Sequence, residues 1–341
     1  MSEALKLGLI GAGRIGRLHA ENLVYCIRGA ELVAVADVVE EAAARLSRRL
    51  GIPKATTDYR ELLSDPEIEA VLICTSTDTH AEIIRAAAAA RKHIFCEKPL
   101  ALDLTEIASA LAAVGEAGVI LQVGFHRRFD PHFRRLKELL EEGAIGKPWL
   151  LKITSYDPAP PPISYVKVSG GIFLDMTIHD FDMARFLLGD VEEVYAAGAV
   201  LVDPEIGKAG DVDTAVVTLR FKSGALGVIT NCRKATYGHD QRIEILGEKG
   251  GLFVENPLPH AARIANESGY LTSPLHYFFV ERYREAYIAE MKAFVEAVRE
   301  GKEPPVTGLD GKIPVVMGYA AKKSLLERRP VRLSEIDPSL D

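Results

Sequence analysis

The sequence predicts a two-part chain. An N-terminal doubly wound α/β domain built on a parallel sheet precedes a predominantly antiparallel open sheet with helices on one face. Three observations carry this. At 341 residues the chain is too long for one ordinary domain and fits two. Strand-like apolar runs alternate with helix-like runs through the first third. After Pro148 that rhythm gives way to short strands separated by turn signals. The boundary is expected after residue 124, giving domains 1–124 and 125–341.

The first element is the apolar run of LKLGLIGAGRIG (5–16), which feeds Gly11-Ala12-Gly13-Arg14-Ile15-Gly16. Glycines fall at this spacing by chance, so its context decides. A helix-like run follows, from Ile15 towards Ile27, and then a strand, ELVAVAD (31–37), ending on Asp37. That acid stands where a ribose-binding carboxylate is expected. Gly11 permits the tight turn, Gly13 lets the backbone approach a pyrophosphate, and Gly16 allows close helix–strand packing. The helix N-terminus offers unpaired N–H groups to phosphate, with Arg14 placed in the turn towards it. Strand, helix, strand and acid in register predict a dinucleotide-binding Rossmann domain rather than a ligand-free glycine turn. Asp37 accepts from both ribose hydroxyls and repels a 2′-phosphate, and Val38 offers no positive charge, so NAD is expected rather than NADP.

The alternation continues in order. VEEAAARLSRRLG (39–51) is a helix that Gly51 can stop, and EAVLICTS (69–76) is a buried strand. Asp78 or Thr79 can cap the next helix, whose alanine run 86–90 is a small-residue face packed on the sheet. HIFCEKP (93–99) is strand then turn, Leu104 to about Gly118 is helix, and VILQVGF (119–125) is strand. Ligands bind beyond the carboxyl ends of such strands, so Gly11–Gly16, Thr75–His80 and Glu97–Pro99 are expected to reach one cleft. His80 is open between cofactor contact and a solvent-facing position, and His19 reads as structural.

In the second part, WLLKITSYD, EVYAAGAVL, DTAVVTLRFKSG, ALGVITNCRK, QRIEILGEKG and GLFVEN read as strands of an antiparallel sheet. Helices 175–188 and roughly 278–300 are expected on one face, with Trp149 packing where the domain begins. The other face holds many apolar alternates and calls for a partner. A helix near 312–328 is expected to return to the first domain.

The bulk numbers exclude several classes. With 48% hydrophobic and 26% charged residues the chain is globular rather than disordered. A net charge of −7 lacks the basic surplus of a nucleic-acid reader. No apolar run approaches about 20 residues, so no membrane span is expected. The opening MSEALKLGLIG lacks the pattern of a signal peptide. The four cysteines are scattered without a CxxC pair, which fits a reducing cytoplasm, and Cys74 and Cys96 read as small packed hydrophobes.

One stretch resists a purely structural reading: GGIFLDMTIHDFDMARFLLG (170–189). On one helix Asp175, His179 and Asp182 share the stripe that a core-facing helix would fill with Leu or Ile. An exposed polar stripe is one reading. The apolar neighbours and Gly170-Gly171 favour the other, a stripe lining a polar pocket. A metal is not expected, because no cysteine or second histidine completes a ligand set.

The GxGxxG turn, Asp37, CTSTDTH, CEKPL and GGIFLDMTIHDFD together resemble the Gfo/Idh/MocA oxidoreductases, from Leu5 to about Leu326. DMTIHDFDMARFL and NCRKATYGHDQR are most similar to the members that oxidise myo-inositol to 2-keto-myo-inositol with NAD, the inositol 2-dehydrogenases. The resemblance implies that Lys98, Asp175 and His179 are catalytic. It implies that Asp182, Arg127 (or the adjacent Arg128), Tyr237 and Asp157 lie on the substrate side. Gly11, Gly13, Arg14, Ile15, Gly16, Asp37, Thr75, Ser76, His80, Glu97 and Lys98 are the expected cofactor contacts. It further implies a cis peptide before Pro99 and a homotetramer formed through the C-terminal sheet. His126 and DPAPPPISY (157–165) depart from the family's pattern while lining the substrate side, so they bear on which substrate is taken.

The chemistry agrees with the residues. Oxidising an alcohol removes a hydride from carbon and a proton from oxygen. A histidine such as His179 suits the proton, Asp175 can orient it or hold substrate, and Lys98 can stabilise a developing alkoxide. Which of Lys98 and His179 is the formal base stays open. Oxidation of scyllo-inositol or an aldose would use the same groups. A nucleotide-sugar substrate and an NAD-binding sensor without activity are the remaining alternatives.

Overall fold

A computed structural model describes residues 4–340; residues 1–3 and 341 of the expected domains lie outside the described residues. The first apolar run forms β1 (Leu5–Ile10), and the glycine turn opens α1 (Arg14–Cys26). Then come β2 (Ala30–Ala36), α2 (Glu40–Leu50), β3 (Lys54–Thr56), α3 (Arg60–Ser64), β4 (Ala70–Ile73), α4 (Thr77–Ala89), β5 (His93–Glu97), α5 (Leu104–Ala117) and β6 (Leu121–Gly124). Gly51 and Gly118 adopt left-handed φ values of 70° and 66° and end α2 and α5. The start of α4 corrects the sequence reading. Ser76, rather than Asp78 or Thr79, holds the cap position, without a side-chain bond, and Thr79 donates to the Ser76 carbonyl at 2.8 Å.

These strands form a six-stranded sheet, β3-β2-β1-β4-β5-β6, with every pair parallel. The order reverses between β1 and β4, where Ile10 pairs with Ile73. The loops after these two strands therefore leave the sheet side by side at its topological switch point. Leu7, Leu9, Val35, Leu72 and Phe95 pack there with Leu23 of α1 and Leu46 of α2. Cys96 is buried within β5 as expected, and burial pushes its thiol well above the ordinary value.

The remaining elements are α6 (Pro131–Glu141), β7 (Pro148–Tyr156), α7 (Ile163–Val166), α8 (Ile172–Asp175), α9 (Thr177–Leu188), β8 (Val191–Ala199), α10 (Pro204–Lys208), β9 (Thr214–Phe221), β10 (Leu226–Cys232), β11 (Asp240–Gly247) and β12 (Gly250–Val254). A small hairpin of β13 (Ile264–Asn266) and β14 (Gly269–Leu271) follows, then α11 (Phe279–Arg282), α12 (Arg284–Glu300), α13 (Gly308–Glu327) and β15 (Val331–Arg332).

The chain divides into two compact units, Met1–Phe129 with Glu285–Ile313, and Asp130–Arg284 with Pro314–Asp341. This differs from a linear split after residue 124. Residues 285–300, expected on the second sheet, belong to the first unit, where Met291, Phe294 and Val295 of α12 join the core of the parallel sheet. The Phe294 ring meets that of Phe95 edge-on, with centroids 5.8 Å apart. A local apolar pattern marks a helix face but not the sheet that will receive it. Of the returning helix α13, only residues up to Ile313 group with the first unit.

The second unit carries a seven-stranded sheet, β12-β11-β7-β10-β9-β8-β15. It is mixed rather than wholly antiparallel, because β7 and β10 run parallel, with Tyr156 opposite Cys232 at their carboxyl ends. One face is covered by α9, which packs on β7 and β10. On the other, Leu246, Leu150 and Leu226 lie opposite one another across β11, β7 and β10 and are exposed. Trp149 is also a correction: it is 51% exposed instead of packed.

Candidate active site

The first unit carries the candidate nucleotide-binding residues. Gly11 has φ 100°, and a Cβ there would lie 2.6 Å from the Cys74 carbonyl oxygen. A Cβ on Gly16 would collide with the Gly11 carbonyl oxygen. Around Gly13 no atom lies within 4 Å of the Cβ position. Open space thus borders the N-terminus of α1, which has no side-chain cap, and Arg14 is exposed beside the half-buried Ile15. Asp37, just past β2, accepts from the N–H of Ala12 at 2.7 Å and of Val39 at 2.8 Å. The open concavity, the uncapped helix end and this carboxylate fit the pyrophosphate and ribose of NAD.

Two more segments border that end of the sheet. Thr75 accepts from the Thr79 hydroxyl at 2.7 Å, just before Ser76 opens α4. His80 is buried, with Nδ1 2.8 Å from the Pro99 carbonyl and Nε2 3.1 Å from the Thr75 carbonyl. Burial pushes its pKa below the ordinary histidine value, and the two carbonyls oppose that shift without outweighing it. His80 therefore ties the Thr75 loop to the turn after β5 and does not face solvent. Lys98 is half-buried in that turn, its N–H donates to Glu97 Oε2 at 3.3 Å, and the Lys98–Pro99 peptide is cis. The other Glu97 oxygen lies 2.8 Å from Nε2 of His19. His19, Glu97 and Glu290 bring their ligand atoms within 4.8 Å of one another. Glu290 was open to detection in the sequence by the signal used for Asp175: an acid among the apolar residues Tyr287, Met291 and Phe294 of one helix.

Arg127 and Arg128 are both buried in the short turn after β6. Arg128 donates to Asp310 at 3.0 Å. Burial would raise the Asp310 carboxyl, but the Arg128 charge and bonds from Thr307 outweigh it and hold it low. Arg128 is held in that ion pair.

The second unit carries the candidate substrate-side residues Asp175, His179 and Asp182. The stripe of Asp175, His179 and Asp182 is not one continuous helix, because Met176, with φ −97° and ψ −60°, separates α8 from α9. Asp175 ends α8, while His179 and Asp182 lie a turn apart on α9, both buried. The solvated-stripe reading is thereby removed. Asp175 uses both oxygens: Oδ1 accepts from the Tyr165 hydroxyl at 2.9 Å, and Oδ2 is 3.2 Å from Nη1 of Arg233. Tyr165 belongs to the segment that matched no pattern. Asp180, overlooked in the sequence, accepts from Asn231 at 2.7 Å, and Asn231 also accepts from Thr177 at 2.7 Å, which fixes α9 on β10.

The parallel β7–β10 pair explains how sequence-distant groups gather here. Asp157 follows β7, donates its N–H to Cys232 at the end of β10, and lies 3.3 Å from Nδ1 of His239. Tyr237, 54% exposed, donates to Asp240 at 2.8 Å. Its pKa is pushed up to about 12, by burial first and then by the Asp240 carboxylate. Arg242 and Asn256 hold Asp240 from the other side.

Two family descriptions match the chain. "Oxidoreductase family, NAD-binding Rossmann fold" covers residues 5–125, and "GFO/IDH/MocA C-terminal domain" covers residues 133–253. The chain is similar to the myo-inositol 2-dehydrogenase of Thermotoga maritima, 55% identical over 97% of this chain and 99% of that protein. It is 46% identical to the inositol 2-dehydrogenase of Rhizobium meliloti, over 97% of this chain and 99% of that one. The scyllo-inositol dehydrogenase of Lactobacillus casei, solved with NAD(H) and scyllo-inositol, superposes with a TM-score of 0.91 at 30% identity, covering 97% of this chain and all of that one. With the glycine turn, Asp37, the Glu97-Lys98-Pro99 turn and Asp175 through His179 all present in this fold, the chain belongs to the Gfo/Idh/MocA oxidoreductases.

Proposed function

We propose that this chain uses NAD to oxidise a secondary alcohol of a cyclitol to a ketone, and that its substrate is myo-inositol, giving 2-keto-myo-inositol (scyllo-inosose). The observation that carries this is the 55% identity to the Thermotoga maritima myo-inositol 2-dehydrogenase over nearly both full lengths. Scyllo-inositol is the second reading, favoured by the likeness to the Lactobacillus casei enzyme. NADP is disfavoured by Asp37.

When bound, NAD supplies the hydride acceptor. The backbone from Gly11 to Gly16 holds its pyrophosphate, with Arg14 and Ile15 at the helix start, and Asp37 holds the ribose. Thr75, Ser76, Glu97 and Lys98 border the cofactor, and His80 keeps two of these segments together. His179 takes the hydroxyl proton, and Asp175 orients the reacting group. Lys98 places a positive charge for the developing alkoxide. Arg127, Asp157, Asp182 and the neutral phenol of Tyr237 bind the other hydroxyls. A polyol has no large apolar face, so orientation must come from such paired donors and acceptors.

The first domain thus serves the cofactor, and the second serves substrate and assembly. Among the described residues no helix is long and apolar enough to cross a membrane. We place the protein in the cytoplasm as a homotetramer assembled through the exposed face of the second sheet. The test of the residue roles is His179→Ala. Turnover is expected to fall by about 10²-fold or more with NAD affinity nearly unchanged. Persisting turnover would remove His179 from its role.

A further inference from the structure

The second unit contains a buried charge network that the proposed roles do not use. Arg233, in the loop after β10, is 1% exposed. Its Nη1 lies 3.2 Å from Asp175 Oδ2 and its Nη2 lies 3.7 Å from Asp211 Oδ2. Asp211 in turn accepts from the N–H of Ile172, the first residue of α8, at 3.1 and 3.0 Å. Burial pushes the pKa of Lys322 on α13 down, and the charge of Asp211 opposes that shift without outweighing it. Arg233 makes a hydrogen-bonded ion pair with Asp175 and a longer, purely electrostatic one with Asp211. A buried guanidinium between two carboxylates resists displacement, because unpairing it in a low-dielectric site is unfavourable.

Gly171, just before α8, finds its reason in the same network. Gly171 has φ 79°, and a Cβ there would lie 2.7 Å from Asp211 Oδ1. Only glycine lets Asp211 close on the start of α8. Asp211 therefore fixes the first residue of α8, and Arg233 fixes Asp175, the last. Tyr165 holds the remaining Asp175 oxygen, so both the position and the rotation of that carboxylate are set.

We propose that Arg233, anchored by Asp211, is a positioning residue that sets the carboxylate of Asp175 for the cyclitol. Arg233 acts through Asp175 and does not itself touch substrate. The inference rests on the reading that Asp175 works at the reacting centre. A displacement of about 1 Å at such a centre is enough to reduce turnover about a hundredfold.

The test is a double-mutant comparison on the full chain, with NADH formation from myo-inositol as the rate and calorimetric titration for NAD affinity. Arg233→Gln is expected to lower kcat about a hundredfold with NAD affinity within about twofold of wild type. Arg233→Lys, which keeps the charge but not the fork, is expected to recover part of that loss. In an Asp175→Asn background, Arg233→Gln is expected to reduce the rate by less than about threefold further, because its target is already gone. Should Arg233→Gln not fold, Arg233→Lys and Asp211→Asn carry the same comparison. Losses that multiply across the two sites, or a wild-type kcat in the Arg233 variants, would overturn the positioning role. Full activity in Asp175→Asn alone would instead overturn the reading of Asp175 itself.

Discussion

The carboxylate of Asp37 accepts the backbone N–H of Ala12 at 2.7 Å, which ties the end of β2 to the middle of the glycine turn. A residue expected to read the ribose thus also shapes the loop that reads the pyrophosphate. Asp37→Ala removes both effects and the charge that repels a 2′-phosphate. The expected result is a rise of about tenfold or more in the KM for NAD, and a smaller preference for NAD over NADP. Steady-state kinetics with each cofactor measures both. An unchanged NAD-to-NADP ratio would refute the assignment.

The three glycines of the turn separate by consequence. Gly16→Ala forces a Cβ into the Gly11 carbonyl and is expected to destabilise the fold by about 1–3 kcal/mol. Gly13→Ala meets no atom within 4 Å, so stability should change by less than about 1 kcal/mol. It fills the space beside the start of α1, however, and the KM for NAD should rise. Chemical denaturation and cofactor kinetics on both variants check the contrast. Equal losses of stability would contradict it.

His80 gives a pH dependence of defined sign. Burial lowers its folded pKa below the unfolded value of about 6.5. Between those values the unfolded chain binds a proton that the folded chain does not, so stability falls on acidification. This contribution is fully present above about pH 6.5 and is lost as pH drops towards the folded pKa. His93 is shifted in the same direction, also by burial, and adds to the slope. His80→Gln should therefore flatten the fall of Tm between about pH 7 and about pH 5 without abolishing it. Thermal unfolding across that range decides, and a slope identical to wild type would count against the assignment.

The exposed row of Leu246, Leu150 and Leu226 makes the sheet face a testable assembly surface. Replacing Leu150 and Leu226 together with Asp removes apolar burial of about 1.5–3 kcal/mol per side chain in every subunit contact they form. Light scattering should show the proposed tetramer giving way to smaller species at micromolar concentration. A wild-type protein that is monomeric at all concentrations would end the proposal.

How much of this was legible in the sequence follows from how local each signal is. The strand–Gly11–helix–strand–Asp37 unit is encoded within a short stretch, and so are the helix ends at Gly51 and Gly118. The break at Met176 was not legible, because α8 and α9 are held by Asp211, Arg233 and Asn231, which are remote in sequence. The parallel pairing of β7 with β10 hides for the same reason, since their residues alternate as antiparallel strands would. The place of α12 in the first unit depends on which apolar surface it meets. Arg233 looks in sequence like a charge at the end of a strand, and only its burial between two carboxylates reveals it.

The most direct test of the central claim is the appearance of NADH when the purified protein is mixed with NAD and each of a panel of polyols, myo-inositol and scyllo-inositol first, with NADP run in parallel. The account predicts NADH formation with myo-inositol, faster than with any aldose and faster with NAD than with NADP. Measurable NAD binding without turnover of any cyclitol would contradict it.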